Sequence, residues 1–379
     1  MRRKSSYRVT IPALIRNLSA SLLLLASCTK LPFVDLPVDP QAPSNDPIIL
    51  VVGGRETKGN APIVNLATLA VVDFGVSAYY SGPGKVFDAT SVKYFDNHRF
   101  GYVTDDLAAE TTFSNPWQGV NAHGTAGAVI ADPVYWPFDG TLSFFCYAPC
   151  QDGSADIVLE DPVTEAGIVS RLPDYLAGSP LIRVTPATSV ADQVDFLAAP
   201  PILDRSRTDA SGSSSLDLSQ HRMTQVEFWF NATGSGEGNA VRVTSISLKD
   251  VIGSKYLYFK QNGCVWSDTV SPVAFGTELP RASYRISVED QELDEVDVPE
   301  RNAANDNHVA SQTGKGVLYL LPQTLPDDAE LMVSCSLVDQ QGEVVGSKTL
   351  SYRLSQNSLS AWPEGKVVCY KLTLDMSTE

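Results

Sequence analysis

Val368-Cys369-Tyr370-Lys371-Leu372-Thr373-Leu374-Asp375-Met376 reads as a β-strand, because Val368, Tyr370, Leu372, Leu374 and Met376 recur at every second position against Lys371, Thr373 and Asp375. Successive side chains of an extended chain point to opposite faces, so this period lays one greasy face on a core and gives the other to water. The same rhythm recurs upstream. Val226, Phe228 and Phe230 alternate with Glu227 and Trp229, Leu331, Val333, Cys335 and Leu337 are in phase, and so are Leu350, Tyr352 and Leu354. In the first half, Phe74, Val76, Ala78 and Tyr80 alternate ahead of the turn Ser81-Gly82-Pro83-Gly84, and Leu142, Phe144 and Cys146 alternate with Ser143, Phe145 and Tyr147. Many short strands punctuated by turns predict an all-β chain of antiparallel sandwiches.

Shorter apolar runs fill the intervals: Leu181 to Val184, Val194 to Leu197, Val241 with Val243 and Ile246, Tyr256 to Phe259, and Val317 to Leu321. Ile48 to Val52 is a continuous apolar run closed by Gly53-Gly54, which predicts a strand buried on both faces. Short helical pieces are expected near 105–110 and 190–196. The polar stretch 204–215 reads as a linker. Two tandem domains follow, 48–205 and 216–379, and an apolar content of 43% is enough to give each a core.

The amino terminus carries a different message. Arg2, Arg3, Lys4, Arg8 and Arg16 precede the apolar run Leu22 to Leu25, and Leu25-Ala26-Ser27-Cys28 follows. Charge, then grease, then small residues is the order of a secretory signal, here 1–27. The cysteine placed directly after Leu-Ala-Ser resembles a bacterial lipobox, which predicts lipidation of Cys28 and a chain tethered by lipid outside the inner membrane. A cleaved signal with an incidental cysteine is the alternative. The apolar run is too short to span a bilayer, which takes about 20 residues. Pro32, Pro37, Pro40, Pro43 and Pro47 make 28–47 a stiff, extended tether. The formal charge is -16, and the first 27 residues contribute five basic and no acidic side chains, so residues 28–379 carry -21. Such a surface repels nucleic acid.

No constellation for catalysis emerges, and the chain is not expected to be an enzyme or to carry a cofactor or metal. His98, His123 and His308 lie in polar sequence, and His221 opens a strand as a hydrogen-bonded core or edge residue. There is no HExxH, GxSxG or P-loop. Ser81 to Lys85 is glycine-rich but lacks Walker spacing, so a hairpin turn accounts for it. The cluster Glu289, Asp290, Glu292, Asp294, Glu295 and Asp297 reads as a solvated loop, with no EF-hand glycine among its members. Beyond Cys28, five cysteines leave at least one unpaired. Cys146 and Cys150 would lie about 13 Å apart in extended chain, too far to bridge unless Pro149 bends it. Cys335 and Cys369 read as small core residues.

Several segments, in order along the chain, resemble one known family. They are the lipobox, the proline tether, the apolar strand 48–52 with Arg55 after it, and Phe74-Gly75-Val76-Ser77-Ala78-Tyr79-Tyr80. Pro133-Val134-Tyr135-Trp136-Pro137 follows, then Leu142-Ser143-Phe144-Phe145-Cys146-Tyr147-Ala148-Pro149, Gln193 to Leu197, and His221 to Val226. Leu321-Pro322-Gln323, Trp362-Pro363-Glu364-Gly365-Lys366 and Tyr370-Lys371-Leu372 complete the set. Together they are similar to the fimbrillin (type V pilin) family of Bacteroidales-type surface lipoproteins, with Cys146 standing where alanine is commoner.

The resemblance implies two transthyretin-like sandwiches and a structural fimbrial subunit that arrives as an outer membrane lipoprotein, is shown at the cell surface and supports adhesion. It implies an arginine-specific protease acting at Arg55, and loss of the first strand to open a groove. Other fimbrial subunits then fill that groove with a strand. Ile48, Leu50 and Val52 fit the removed plug. The run through Val368, Tyr370, Leu372 and Leu374 is a candidate donor and equally a resident strand. The competing expectation is a monomeric surface lipoprotein of the same fold, binding a glycan or host protein through exposed aromatics such as Trp117 or Trp229, which core packing explains as easily.

Overall fold

The computed structural model describes residues 41–53, 73–102, 117–123, 129–150, 157–160, 169–170, 172–209, 215–267, 280–301, 309–310, 316–356 and 360–377. Cys28, Arg55, His308 and the expected helical piece at 105–110 lie outside them. The regular structure among the described residues is almost entirely strand, paired mainly antiparallel, with three-residue 3-10 turns at Val190–Asp192 and Leu354–Gln356.

The first half is organised on one broad sheet. Its neighbours run Leu197–Ala198, Thr141–Ala148, Phe74–Ser81, Val92–Tyr102, Trp117–His123 and Val129–Ala131, with Ile202–Ser206 also pairing Thr141–Ala148. Phe74–Ser81 sits between two full partners and is buried along its whole length. Its alternation therefore separates two apolar faces. Phe74, Val76, Ala78 and Tyr80 join Leu142, Phe144 and Cys146 in a first core. On the other face, Tyr79, Phe145 and Tyr147 form another core with Ile157, Ile182, Leu257, Phe259 and Trp266. The rings there meet edge to face, Tyr79 with Phe145 at 5.5 Å and Phe145 with Phe259 at 4.9 Å between centroids.

A four-stranded sheet closes that second face, in the order Gly263–Trp266, Lys255–Lys260, Leu181–Val184 and Ile157–Glu160. The hairpin 255–266 thus crosses over from the second half to complete a sheet of the first.

The second half has its own core between two sheets. Arg281–Ser287, Ala240–Ile252, Glu330–Val338 and Val344–Arg353 form one sheet. Thr224–Thr233 centres the other, flanked on one side by Leu318–Leu320 and Val309–Ala310 and on the other by Val367–Asp375. Val226, Phe228, Phe230, Val333, Cys335, Trp362 and the inward residues of 367–375 fill the space between the two sheets.

Several expectations need correction. Ile49 is 42% exposed while Ile48 and Leu50 are fully buried, so the 48–52 run alternates and does not bury both faces. The last five tether residues, Pro43–Pro47, form a strand against Tyr135–Pro137. The start of the expected linker belongs to the Ile202–Ser206 strand. The helical piece at 190–196 shrinks to the Val190–Asp192 turn. Cys369 faces outward, because it shares the polar side of its strand with Lys371. Cys146, Cys264, Cys335 and Cys369 are free thiols, so no Cys146–Cys150 bridge forms. The acidic loop, by contrast, is solvated as expected: Asp290, Glu295 and Asp297 are each more than half exposed, Asp290 pairing with Arg285 and the other two with Arg242.

Candidate functional site

Residues 42–53 form a ribbon that changes partner every few residues. Phe138 donates its N–H to the Ala42 carbonyl at 2.8 Å, and Pro43 and Pro47 face Pro137 and Tyr135. The two prolines have no N–H to give, so this stretch is ladder-poor by its chemistry. Ile48 donates to the Val134 carbonyl at 2.7 Å. Leu50 and Trp117 then exchange both backbone bonds, at 2.9 and 3.0 Å, as one antiparallel bridge. Val51–Gly53 turns to a third partner, running parallel to Ser215–Asp217.

Side chains bind the ribbon more continuously than its backbone does. Ile48, Leu50 and Val52 are 0, 0 and 2% exposed and belong to the first core, with Phe74, Trp117, Trp136, Phe144, Leu216 and Leu218. Phe74 lies between Phe100 at 5.8 Å and Trp117 at 5.3 Å, and Trp136 meets Phe144 edge to face at 5.6 Å. Burying three aliphatic side chains contributes about 5–9 kcal/mol before ordering costs. Burial also drives the Cys146 thiol upward, so it stays protonated and acts as a small apolar filler here.

The carboxyl-terminal strand Val367–Asp375 behaves differently. It runs parallel to Thr224–Thr233 in unbroken register over nine residues, from Gln225↔Val367 to Thr233↔Asp375. Val368, Tyr370, Leu372 and Leu374 all point into the core of the second half of the same chain. Tyr370 stacks on Phe228 at 6.0 Å and accepts the indole N–H of buried Trp362 at 2.8 Å. Burial raises the Tyr370 phenol, with the Trp362 bond opposing it. Among the described strands only Thr224–Thr233 pairs with it, and its far edge is covered by side chains: Lys348 Nζ donates to the carbonyls of Asp375 and Ser377 at 2.9 and 3.1 Å, and the Tyr352 hydroxyl to that of Thr373 at 3.2 Å. An inward-turned lysine is a common guard of a sheet edge.

The head of this strand meets a buried polar knot. Arg222, 6% exposed, donates to Glu364 at 2.6 Å, to Gln220 at 2.7 Å, to the Ala198 carbonyl at 3.1 Å, and to the carbonyl and sulfur of Cys264 at 3.3 and 2.8 Å. His221 Nδ1 lies 2.6 Å from Asp195, whose carboxyl is raised by burial and held back by the imidazole. Burial pushes the Cys264 thiol up to about 12.

A model of the fimbrillin-like family matches residues 100–379. The chain belongs to the fimbrillin-like family. Among solved structures, this fimbrillin-like chain is similar to a candidate cell adhesion protein from Bacteroides ovatus (16% identity, TM-score 0.43, covering 88% of this chain and 92% of that one). It is also similar to one from Bacteroides fragilis (15%, 0.37, covering 89% and 92%) and to the fimbrial anchor protein Mfa2 from Porphyromonas gingivalis (11%, 0.24, covering 80% and 83%). No curated protein sequence matches.

Of the residues singled out by sequence, Ile48, Leu50 and Val52 share one core, and Val368, Tyr370, Leu372 and Leu374 share another. Of the two readings of Trp117, the structure bears out core packing: it is a buried wall of the ribbon's slot, 3% exposed, and Trp229 is half-buried with its indole N–H toward Glu227. Sequence reasoning missed Ser215–Asp217 and the Arg222–Glu364 pair. The alternation of Leu216 and Leu218 was the available signal for the first, and a polar neighbourhood hid it. The second joins residues 142 apart and has no local signature.

Proposed function

We propose that this chain is a structural pilus subunit that assembles by exchange of strands and supports adhesion. It is exported as a precursor lipidated at Cys28 and displayed at the outer membrane. An arginine-specific protease cuts at Arg55, the ribbon leaves, and a strand of another fimbrial subunit takes its place. The strand Val367–Asp375 is the candidate donor by pattern, since its inward side chains alternate as Ile48, Leu50 and Val52 do, and its pairing with Thr224–Thr233 favours equally its role as a resident strand until it is released. We take the division into two tandem domains, 48–205 and 216–379, as the organisation of the subunit, with the hairpin 255–266 reaching from the second to a sheet of the first.

The observation that supports this reading best is the mismatch in how the ribbon is held. Three core side chains sit on a backbone that pairs with each neighbour for only one to three residues. Removing it would expose an apolar slot beside unpaired N–H and C=O groups, which a donated strand satisfies through both its backbone and its alternate side chains.

The test is brief treatment of residues 29–379 with an arginine-specific protease. The expected result is a cut at Arg55 followed by high-mass ladders, both abolished by Arg55→Ala. Ladders that form without the cut would remove Arg55 from the mechanism. A chain that is cut and remains a monomer would speak for the ligand-binding surface lipoprotein.

A further inference from the structure

We propose that residues 215–222 couple the ribbon to the head of the carboxyl-terminal strand, so that loss of the first loosens the second, a regulation resting on the exchange reading above. The connection is short and continuous. Ser215–Asp217 has Val51–Gly53 as its strand partner, in the register Ser215↔Val51, Leu216↔Val52 and Asp217↔Gly53. Leu216 and Leu218 are 1 and 4% exposed, and their core neighbours include Ile48, Leu50 and Val52. Removing the ribbon therefore takes from 215–218 both its ladder and part of its apolar cover.

The chain then enters the polar knot. Asp217 caps the turn by accepting from the backbone N–H of Ser219, and Gln220 accepts from Arg222. Residues 222–225 hold the turn that starts the carboxyl-terminal strand through four bonds. Arg222 takes Glu364 at 2.6 Å, the Met223 carbonyl takes the N–H of Gly365 at 3.0 Å, Thr224 Oγ1 donates to the Pro363 carbonyl at 2.8 Å, and Gln225 donates its N–H to the Lys366 carbonyl at 3.0 Å. A guanidinium held by Glu364, Gln220, Ala198 and Cys264 together has little freedom to follow a moving backbone. When 215–221 shifts, Arg222 gives up some of these partners, and a guanidinium that can no longer stay both buried and paired with Glu364 favours the open turn.

Two first-half contacts oppose the coupling. The Phe196 carbonyl accepts the N–H of Arg222 at 2.8 Å, and Asp195 holds His221. If these pin 221–222 alone, ribbon and strand are insulated from each other.

Hydrogen exchange on the full chain separates the two cases. Leu50→Asp expels the ribbon, and Leu216→Ala loosens 215–218 with the ribbon sequence intact, which keeps the test available if Leu50→Asp does not fold. The expected result in either variant is exchange at least tenfold faster at 215–218 and also at 367–375, with 74–81 and 330–338 unchanged. Faster exchange at 215–218 with 367–375 at the wild-type rate overturns the coupling. Glu364→Gln opens the clamp directly, and should accelerate 367–375 while 215–218 keeps its rate. No change at 367–375 in that variant also overturns it. A chain that polymerises after cleavage without this exchange pattern keeps the function and loses the coupling. A chain that shows the pattern and never polymerises does the reverse.

Discussion

The ribbon at 42–53 and the strand Val367–Asp375 present the same pattern to their cores, yet they are held by different means. The strand has nine residues in one parallel register on Thr224–Thr233, with its far edge guarded by Lys348 and Tyr352. The ribbon meets Tyr135–Pro137, Val134, Trp117 and Ser215–Asp217 in turn. A long ladder makes removal cooperative, because every pair must break together. A broken one leaves the side chains to do the holding, and side chains of similar size can be replaced by those of another strand. The lesson is that alternation states what a segment buries, and the pairing states how readily it leaves.

Four measurements break or sharpen this contrast. The largest effect is expected from Leu374→Ala and Leu50→Ala, each at a fully buried site and each costing about 2–5 kcal/mol. In urea unfolding followed by hydrogen exchange, Leu374→Ala should weaken the whole core of the second half, while Leu50→Ala should speed exchange at 48–53, at 215–218 and, through the coupling, at 367–375, leaving 330–338 unchanged. Equal spreading from both sites would erase the distinction. Gly365→Ala comes next. Gly365 has φ +63, and an added Cβ would sit 2.8 Å from the His221 carbonyl oxygen, so a loss of about 1–3 kcal/mol is expected, read as a lower thermal midpoint. Lys348→Met removes the two bonds on the outer edge of the strand and should cost about 1 kcal/mol, seen as faster exchange at 373–377 with 367–371 little changed.

The smallest effect is a slope with pH. Burial raises the Asp195 carboxyl, so the folded chain binds its proton more tightly than the unfolded chain does. Stability from this group is therefore present below the ordinary carboxylate value of 3.8 and is lost as pH rises through the raised one. Asp195→Asn should flatten that part of the urea-midpoint profile, and an unaltered profile would show that His221 offsets burial completely.

Much of the fold was legible because period two is a direct consequence of an extended backbone. Phe74 to Tyr80, Leu142 to Cys146, Val226 to Phe230 and Val368 to Met376 are all strands with the expected residues turned inward. Alternation was silent where a sheet has a core on each side. Tyr79, Phe145 and Tyr147 carry an apolar second face, and no pattern within 74–81 or 141–148 says that a hairpin from 255–266 will help cover it. Cys369 misled because cysteine suits either face, and its strand neighbours Lys371 and Thr373 were the better guide. At the candidate site, the burial of Ile48, Leu50 and Val52 was readable from composition. Their partners were not, since Trp117, Trp136 and Leu216 come from distant segments and meet only through long-range pairing.

The most direct test of the ribbon as a replaceable plug is competition. A synthetic peptide spanning residues 41–53 is added in excess to the full chain as the arginine-specific protease acts. The account expects the peptide to occupy the slot vacated by the ribbon and to suppress the polymer ladder, while a peptide carrying Leu50→Asp has no effect. Ladders growing at the same rate with either peptide would contradict it.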